Sequence, residues 1–529
     1  MSLGFYKILP HSPLAKGGAE EVGNKAWNLM RMTAAGLPVP AAFVLPTAWC
    51  QALRAETNQA DLSETLSSGI AMLEASSGLG FGSPRRPLLV SIRSGGAVSM
   101  PGMLETVLNI GLNGKTVEGL IGYTGNPRLA WDCYRRLVQG YAEIVERLPR
   151  VPFDALIAKS VSDAGVGTEH ELDYRALRQL TLSLLDCFQE LAGVPFPDDP
   201  NEQLRRAALA IFQSWDGPKA VTYRAANGIE HSGGTAVTVQ RMVFGNAGGD
   251  SGAGVAFTRN PATGVRELYL DFQFNAQGED VVAGRLAPYG EERLRRTLPR
   301  VWAELEKTGQ ALEALFHDAQ DFEFTLQSGA FYLLQSRAAK RTSWAAVRIA
   351  VDQVDEGLIS PVEALARLAK LDLASVARTC LADLAAKPLA HARVASMGVA
   401  SGAIALDSEA AKGMAKAGMP VILVRREMEA SDIEGILSAT GVLTAAGGRT
   451  SHAAVVARQL GKVCMVACPD LEIDLERHSC RIGGTTMHET DFLSLDGNTG
   501  AIYAGQLQVV TERPESELAK IASWHAAAL

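Results

Sequence analysis

GGRTSHAAVVARQLGK, residues 447–462, runs from a Gly-Gly turn through two hydroxyl side chains and a histidine into a helical pattern, with apolar positions at Val455, Val456 and Leu460. The spacing predicts a helix beginning near Ser451, with His452 at its N-terminus. Unpaired backbone N–H groups and the positive end of the helix dipole favour an anion there, and Thr450 and Ser451 can add hydroxyl hydrogen bonds to phosphate oxygens. Neutral imidazole is a covalent nucleophile, and a helix N-terminus disfavours its protonated form. A lone histidine at a helix start more commonly caps or packs. The rest of the chain has to decide between the two.

At 529 residues the chain exceeds the size at which one hydrophobic core stops growing, so two or more domains are expected. Its 47% hydrophobic and 20% charged residues are ordinary globular composition, which excludes a disordered or collagen-like chain. A formal net charge of -8 provides no broad basic field for nucleic acid or anionic membrane, so any phosphate must be held by local donors. No stretch approaches a membrane span and the first residues lack the apolar run of a secretory signal, so a cytoplasmic protein is expected. Seven scattered cysteines suggest no disulfide framework. Cys464 and Cys468, the one close pair, have no second Cys/His pair nearby and read as buried small hydrophobes rather than a metal site.

Residues 1 to about 340 mix helical patterns with short strands, the clearest being 235–244, 254–259 and the pair FEFTL and FYLLQ, as in one large α+β unit. From about 340 to 385 the text turns Ala- and Leu-rich with helical spacing, and Ser360-Pro361-Val362-Glu363 reads as a capping box with proline at the first helical position. A compact α/β unit follows from about 386 to 506, with strand-like PVILVRR and GVLTAA and a turn-rich close at FLSLDGNTGAIYAG. PESELAKIASWHAAAL reads as a terminal helix.

Two further segments carry candidate chemistry. GAEEVGNKA, 18–26, narrowly misses a P-loop, because Asn24 separates Gly23 from Lys25 and no Ser/Thr follows. In 88–114, Arg93 comes after a hydrophobic strand and before a Gly-, Ser- and Thr-rich loop of the kind that offers N–H groups to phosphates; its guanidinium can fork onto two oxygens and keeps its charge.

In DFEFTLQSGAFYLLQSR, 321–337, Phe322, Phe324 and Leu326 alternate with Asp321, Glu323 and Thr325, giving one core face and one polar face. A three-residue loop at Ser328, Gly329 and Ala330 would set Gln327 opposite Phe331, Glu323 opposite Gln335 and Asp321 opposite Arg337. Glu323 with the Gln335 carbonyl would supply hard oxygen ligands for Mg²⁺; a solvent-exposed salt-bridged hairpin is the bland alternative.

Nearly the whole chain resembles pyruvate phosphate dikinase. GGRTSHAAVVARQLGK is similar to the phosphohistidine signature of enzymes that interconvert phosphoenolpyruvate and pyruvate, with Arg449 in place of a usual methionine. EVGNKAWNL followed by AAGLPVPAAFVL resembles the opening of the dikinase nucleotide domain, which implies that Lys25 contacts ATP phosphates. The resemblance of LLVSIRSGGAVSMPGMLETVLNIGLNG assigns Arg93 to the triphosphate and Gly102, Met103 and Thr106 to the loop around it, with Glu105 replacing an aspartate. Its SMPGMLETVLNIGLN portion looks like the phosphate-using dikinases rather than the water-using synthases, implying inorganic phosphate as second acceptor. FPDDPNEQL, VTVQRMVFGNAGGDSGAGVAFTRNPATG and NAQGEDVVAG continue the resemblance, with Ala247 for a usual methionine; by analogy Gln240 and Met242 lie near adenine and Glu279 near ribose. An alternating strand would also explain the first two without a ligand. The same resemblance puts metal and phosphate contacts at Asp321, Glu323, Gln335 and Arg337.

The implied architecture is α+β and multidomain: an ATP-grasp nucleotide-binding domain over 1–340, a helical linker over 341–385, a swivelling β/β/α phosphohistidine domain over 386–506 and a C-terminal helix over 507–529. The implied half-reaction is ATP plus phosphate giving AMP, pyrophosphate and phosphorylated His452, with Mg²⁺ as cofactor. No counterpart of the family's phosphoenolpyruvate/pyruvate barrel is expected after Leu529, so phosphoenolpyruvate would form only where a separate barrel domain or partner polypeptide supplies that site. The competing expectations are a non-catalytic ATP-binding regulatory module and a dikinase acting on another small-molecule acceptor.

Overall fold

The computed structural model describes residues 3–54, 59–98, 100, 105–226, 228–229, 233–282, 290–382, 386–428, 432–448 and 452–528. The chain gathers into two compact units, residues 1–248 with 332–335, and residues 249–331 with 336–529.

The first unit is built on a five-stranded antiparallel sheet in the order Tyr6–Ile8, Ala42–Leu45, Ala236–Arg241, Val90–Gly95, Thr106–Ile110. Strand alternation sorts its side chains. Phe43, Leu45, Val90, Ile92, Val107, Val237 and Val239 join a core with Leu129, Leu137 and Tyr141 of helix Pro127–Ile144 and Leu204, Ala208 and Ile211 of helix Pro200–Ser214. Each such aliphatic side chain contributes roughly 1.5–3 kcal/mol on burial. Helix Gly18–Ala34 also packs on these strands, but its buried Val22, Ala26, Leu29 and Met30 stand outside that core.

A four-stranded sheet runs Ala330–Ala338, Gln320–Gln327, Gly252–Phe257, Tyr269–Phe274. Gly254 lies opposite both Phe324 and Phe272, and a Cβ there would come within 2.5 Å of the Phe324 ring. Only glycine leaves room for those two rings to stack, with centroids 5.8 Å apart.

Residues 390–504 form a three-layer domain. An eight-stranded mixed sheet has four parallel neighbours at its centre, Val399–Ala405, Val421–Arg425, Gly441–Thr444 and Val463–Val466. Helices Ser408–Lys416, Ile433–Ser438 and His452–Gln459 cover one face through Ala411, Ile436, Ala454 and Ala457. A small antiparallel sheet, Leu471–Asp474, Ser479–Ile482 and Thr485–His488, covers the other through Leu471, Cys480, Ile482 and Met487. Layers of sheet, sheet and helix are the expected β/β/α arrangement. Cys464 and Cys468 lie buried in these cores, and burial pushes their thiols up to about 12 and about 11.

The Ser360 capping box forms as read, with Glu363 N–H donating to Ser360 Oγ and Ser360 N–H to Glu363 Oε2. Helices Ser343–Asp355 and Pro361–Leu368 pack with Ile521 of the terminal helix Glu515–Ala528. The helical reading of 340–385 fails at its end. Arg378–Leu381 is a strand, paired antiparallel with Val509–Glu512, and a pairing partner some 130 residues away leaves no local pattern to read.

Candidate functional site

Arg93 sits in the Val90–Gly95 strand, opposite Thr106 on one neighbour and Thr238 on the other. Two residues along, Ser91 faces Gln240. Period-two alternation therefore puts Ser91, Arg93, Thr106, Thr238 and Gln240 on the sheet face away from the large core. Arg93 Nε is buried and has no hydrogen-bond partner among the described residues, an open donor on an always-charged group. Gln240 is fixed by its Nε2 donating to Pro40 O at 3.2 Å, and Met242 follows the strand with its N–H on Leu89 O.

Lys25 reaches this region through a break in its helix. Gly23 has φ 78 and ψ 151, and its Cβ position lies 2.2 Å from Gly95 O, so no side chain fits. The next N–H, of Asn24, donates to Gly96 O at 2.9 Å. Lys25 is thus exposed at the start of a fresh helical run, held against the end of the Arg93 strand. Gly23, one residue before the Asn24 that breaks the P-loop pattern, is what makes this joint.

A buried charge cluster in the same unit escaped the sequence reading. Asp132 Oδ1 accepts from Arg135 at 3.0 Å, and its Oδ2 from Arg136 at 3.1 Å and from Asn246 Nδ2 at 3.2 Å. Burial alone would raise the Asp132 carboxyl, but Arg136 and Arg135 outweigh it and hold it well below the usual range. Arg135 Nε and Asn246 Oδ1 have no partner among the described residues. The one signal was WDCYRR, which sets charged residues at i, i+3 and i+4 on a helix whose pattern is otherwise amphipathic.

In the second unit, Arg337 Nε and Nη2 both donate to Asp321 Oδ2 at 2.8 Å, the ion pair the hairpin reading expects. The loop is shorter than expected: only Ser328 and Gly329 lie between the strands, with φ 50 and 77, the left-handed pair that suits strand twist. Farther out, Ala339 N–H donates to Ala319 O at 2.9 Å, a pairing that fits the expected register. Asp321 is only 4% exposed and its Oδ1 has no partner among the described residues; burial, partly offset by Arg337, pushes its carboxyl above the usual range. Glu323 is half-buried on the same side of its strand as Asp321, Gln335 is half-buried on its own strand, and Glu279 is exposed on the short helix Gly278–Val282.

His452 opens helix His452–Gln459, which leaves the carboxyl end of the parallel strand Gly441–Thr444 and leads into Val463–Val466. Carboxyl ends of parallel strands, followed by helix N-termini, are where α/β sheets collect ligands. The side chain of His452, together with Thr450, Ser451, Gly102 and Met103, lies outside the described residues. The buried side of this helix is Ala454, Ala457 and Arg458, whereas Val455 and Val456 are half-buried and Leu460 is exposed. Small residues let the helix sit close to the sheet, a choice that hydrophobicity alone does not announce. Nearby in the same unit, Tyr269 OH donates to Val394 O, and Arg393 pairs with Glu291 at 3.1 Å and Asp271 at 3.7 Å.

No cluster of three or more His, Cys, Asp or Glu among the described residues could hold a metal by itself, and no helix there is long and apolar enough to cross a membrane.

Residues 51–291 match the pyruvate phosphate dikinase AMP/ATP-binding domain, and residues 418–500 match the mobile domain of PEP-utilising enzymes. The chain is 41% identical over 509 residues to pyruvate, phosphate dikinase of Clostridium symbiosum, covering 95% of this chain and 58% of that protein. It is 39% identical over 528 residues to the Rhizobium meliloti protein of the same name, covering 96% and 59%, and 40% identical over 508 residues to the chloroplastic rice protein, covering 95% and 54%. The chain thus spans somewhat over half the length of these relatives.

Proposed function

We propose, from the premise that this chain belongs to the pyruvate phosphate dikinase family through its ATP-binding and mobile domains, that it uses ATP to phosphorylate His452. Formation of AMP requires attack at the β phosphorus: the bond between the α and β phosphates breaks, AMP leaves, and a pyrophosphoryl group remains on the imidazole. Inorganic phosphate then takes the γ group as pyrophosphate, and one phosphoryl group stays on His452.

The observation that carries this reading is a histidine opening a helix at the carboxyl edge of parallel strands, in a chain whose other unit presents a half-buried arginine whose Nε has no partner among the described residues. Phosphoryl transfer depends on positioning and charge neutralisation more than on covalent help. Lys25 and Arg93 would neutralise phosphate charge, Arg337 and Asp321 would order the nucleotide, and Gln240, Met242 and Glu279 would take its base and sugar. Gly102, Met103 and Thr106 would line the phosphate loop; Thr450 and Ser451 would hold the phosphoryl group on His452.

Magnesium fits the donor set. Glu323 and Gln335 would hold it through a carboxylate and a carbonyl, leaving waters and phosphates to complete the shell, which suits a protein without a closed ligand cluster among its described residues. When bound, it would offset charge on the bridging phosphates.

The final acceptor we propose is pyruvate, at a site supplied by a separate barrel domain or partner, because the relatives that share this chain's domains are named for it. Incubating the chain with Mg²⁺, ATP and phosphate should yield AMP and an acid-labile, base-stable phosphoprotein, both absent from His452→Ala. Equal labelling of wild type and His452→Ala, or no labelling of either, would sink the reading; adding pyruvate and a barrel-bearing extract tests the acceptor separately.

A further inference from the structure

Arg458 lies on the helix that His452 opens, yet it is only 4% exposed. Its Nε donates to Ala395 O at 2.9 Å, tying the helix to the neighbouring edge strand Arg393–Ser396. Its guanidinium also stands over the Phe257 ring, 5.8 Å from the centroid. Phe257 is the cross-strand partner of Asp321 in the hairpin sheet. Asp321 gives one oxygen, Oδ2, to both donors of Arg337, while Oδ1 is buried with no partner among the described residues.

Asp321 is thus paired with one arginine, Arg337, while a second, Arg458, packs over the ring of its cross-strand partner. Arg337 is 42% exposed and can turn to a phosphate; Arg458 is buried on the nucleophile helix and cannot leave without moving that helix. A carboxylate that loses its charge partner while buried must find another or become costly.

We propose that Arg458 is a positioning residue that reads nucleotide occupancy: when phosphate draws Arg337 off Asp321, the carboxylate engages Arg458 and seats the helix that carries His452. The inference rests on the phosphorylation reading above and adds to it a named link between the nucleotide hairpin and the nucleophile. It makes Arg458 act through the placement of His452 without touching the nucleotide.

The test uses the full chain with α,β-methylene ATP and Mg²⁺, binding being followed by calorimetry. Amide hydrogen exchange across 452–460 should slow about tenfold on nucleotide addition, a gain lost in Arg458→Gln and in Asp321→Asn and partly kept in Arg458→Lys. Rapid-quench labelling from ATP should be about tenfold slower in Arg458→Gln, with half-saturating ATP changed less than about twofold, the split expected of a group that acts after binding. Exchange that nucleotide leaves unchanged in the wild type overturns the inference, as does Arg458→Gln labelling at the wild-type rate. Exchange needs no phosphoryl transfer, so a wild type that gains protection without labelling keeps this link and sinks the phosphorylation reading. A chain that binds no nucleotide sinks both.

Discussion

Arg93, half-buried with its Nε enclosed, and Asp321, buried, are ionisable side chains on the polar faces of antiparallel sheets, one in each unit, and they are satisfied in opposite ways. Arg93 Nε has no acceptor among the described residues, while Asp321 already holds Arg337 at 2.8 Å. An open donor is an anion receptor whose removal should spare the fold. A pre-paired charge has to be exchanged, so its removal should reach stability as well as binding. The Asp132 cluster marks the far end of this scale, a carboxylate with more cationic partners than it needs.

The largest expected effect tests that far end. Asp132→Asn should lose about 4 kcal/mol in urea unfolding at neutral pH, because two buried arginines lose their counter-charge. The Asp132 carboxyl is depressed in the fold, so its contribution is full above the unfolded value near 4 and is lost as pH falls through the folded one. The wild type should therefore lose stability below about pH 4 more steeply than the variant. Next, Arg93→Met should slow phosphoprotein formation roughly three-hundredfold, with unfolding free energy nearly unchanged. Equal losses of stability at Arg93 and Asp132 would erase the distinction between an open and a closed charge. Arg337→Met should cost about 2 kcal/mol, less than a fully buried pair because its side chain is 42% exposed, and adding Asp321→Asn should recover part of it. The smallest effect belongs to Thr106→Val, opposite Arg93, where calorimetry should find ATP binding about threefold weaker and the fold unaffected.

The charges that matter were legible to different degrees, for physical reasons. The helix at His452 and the Ser360 capping box are local: a few adjacent residues specify each, and both stand where the text put them. The hairpin was legible because alternation fixes its polar face, although Ser328-Gly329 closes it one residue sooner than expected. Which of Ser91, Arg93, Thr238 and Gln240 share a face was not legible, because that depends on register between strands nearly 150 residues apart. Arg458 was passed over for a related reason: a charged residue in the last turn of a helix is ordinarily a solvated one, and only tertiary packing shows it buried beside Phe257. Asp132 and Arg135 hid the same way, as an i, i+3 pair that could as well decorate a surface.

The ribbon formed by Arg378–Leu381 and Val509–Glu512 has a mechanical meaning for the domain it brackets. Both passages of the chain, into residues 390–504 and out again, run side by side, and both begin or end at the helical base where Val347, Leu368 and Ile521 pack. A body suspended from two distant points must shear its supports to turn, whereas one hung from a single stem only twists it. Reorienting this domain therefore asks for torsion in a short ladder and release of the contacts it makes within its unit, among them the polar ones of Arg393 and Tyr269, the Arg458 guanidinium over Phe257, and Met397 packed with Ala262 and Trp344.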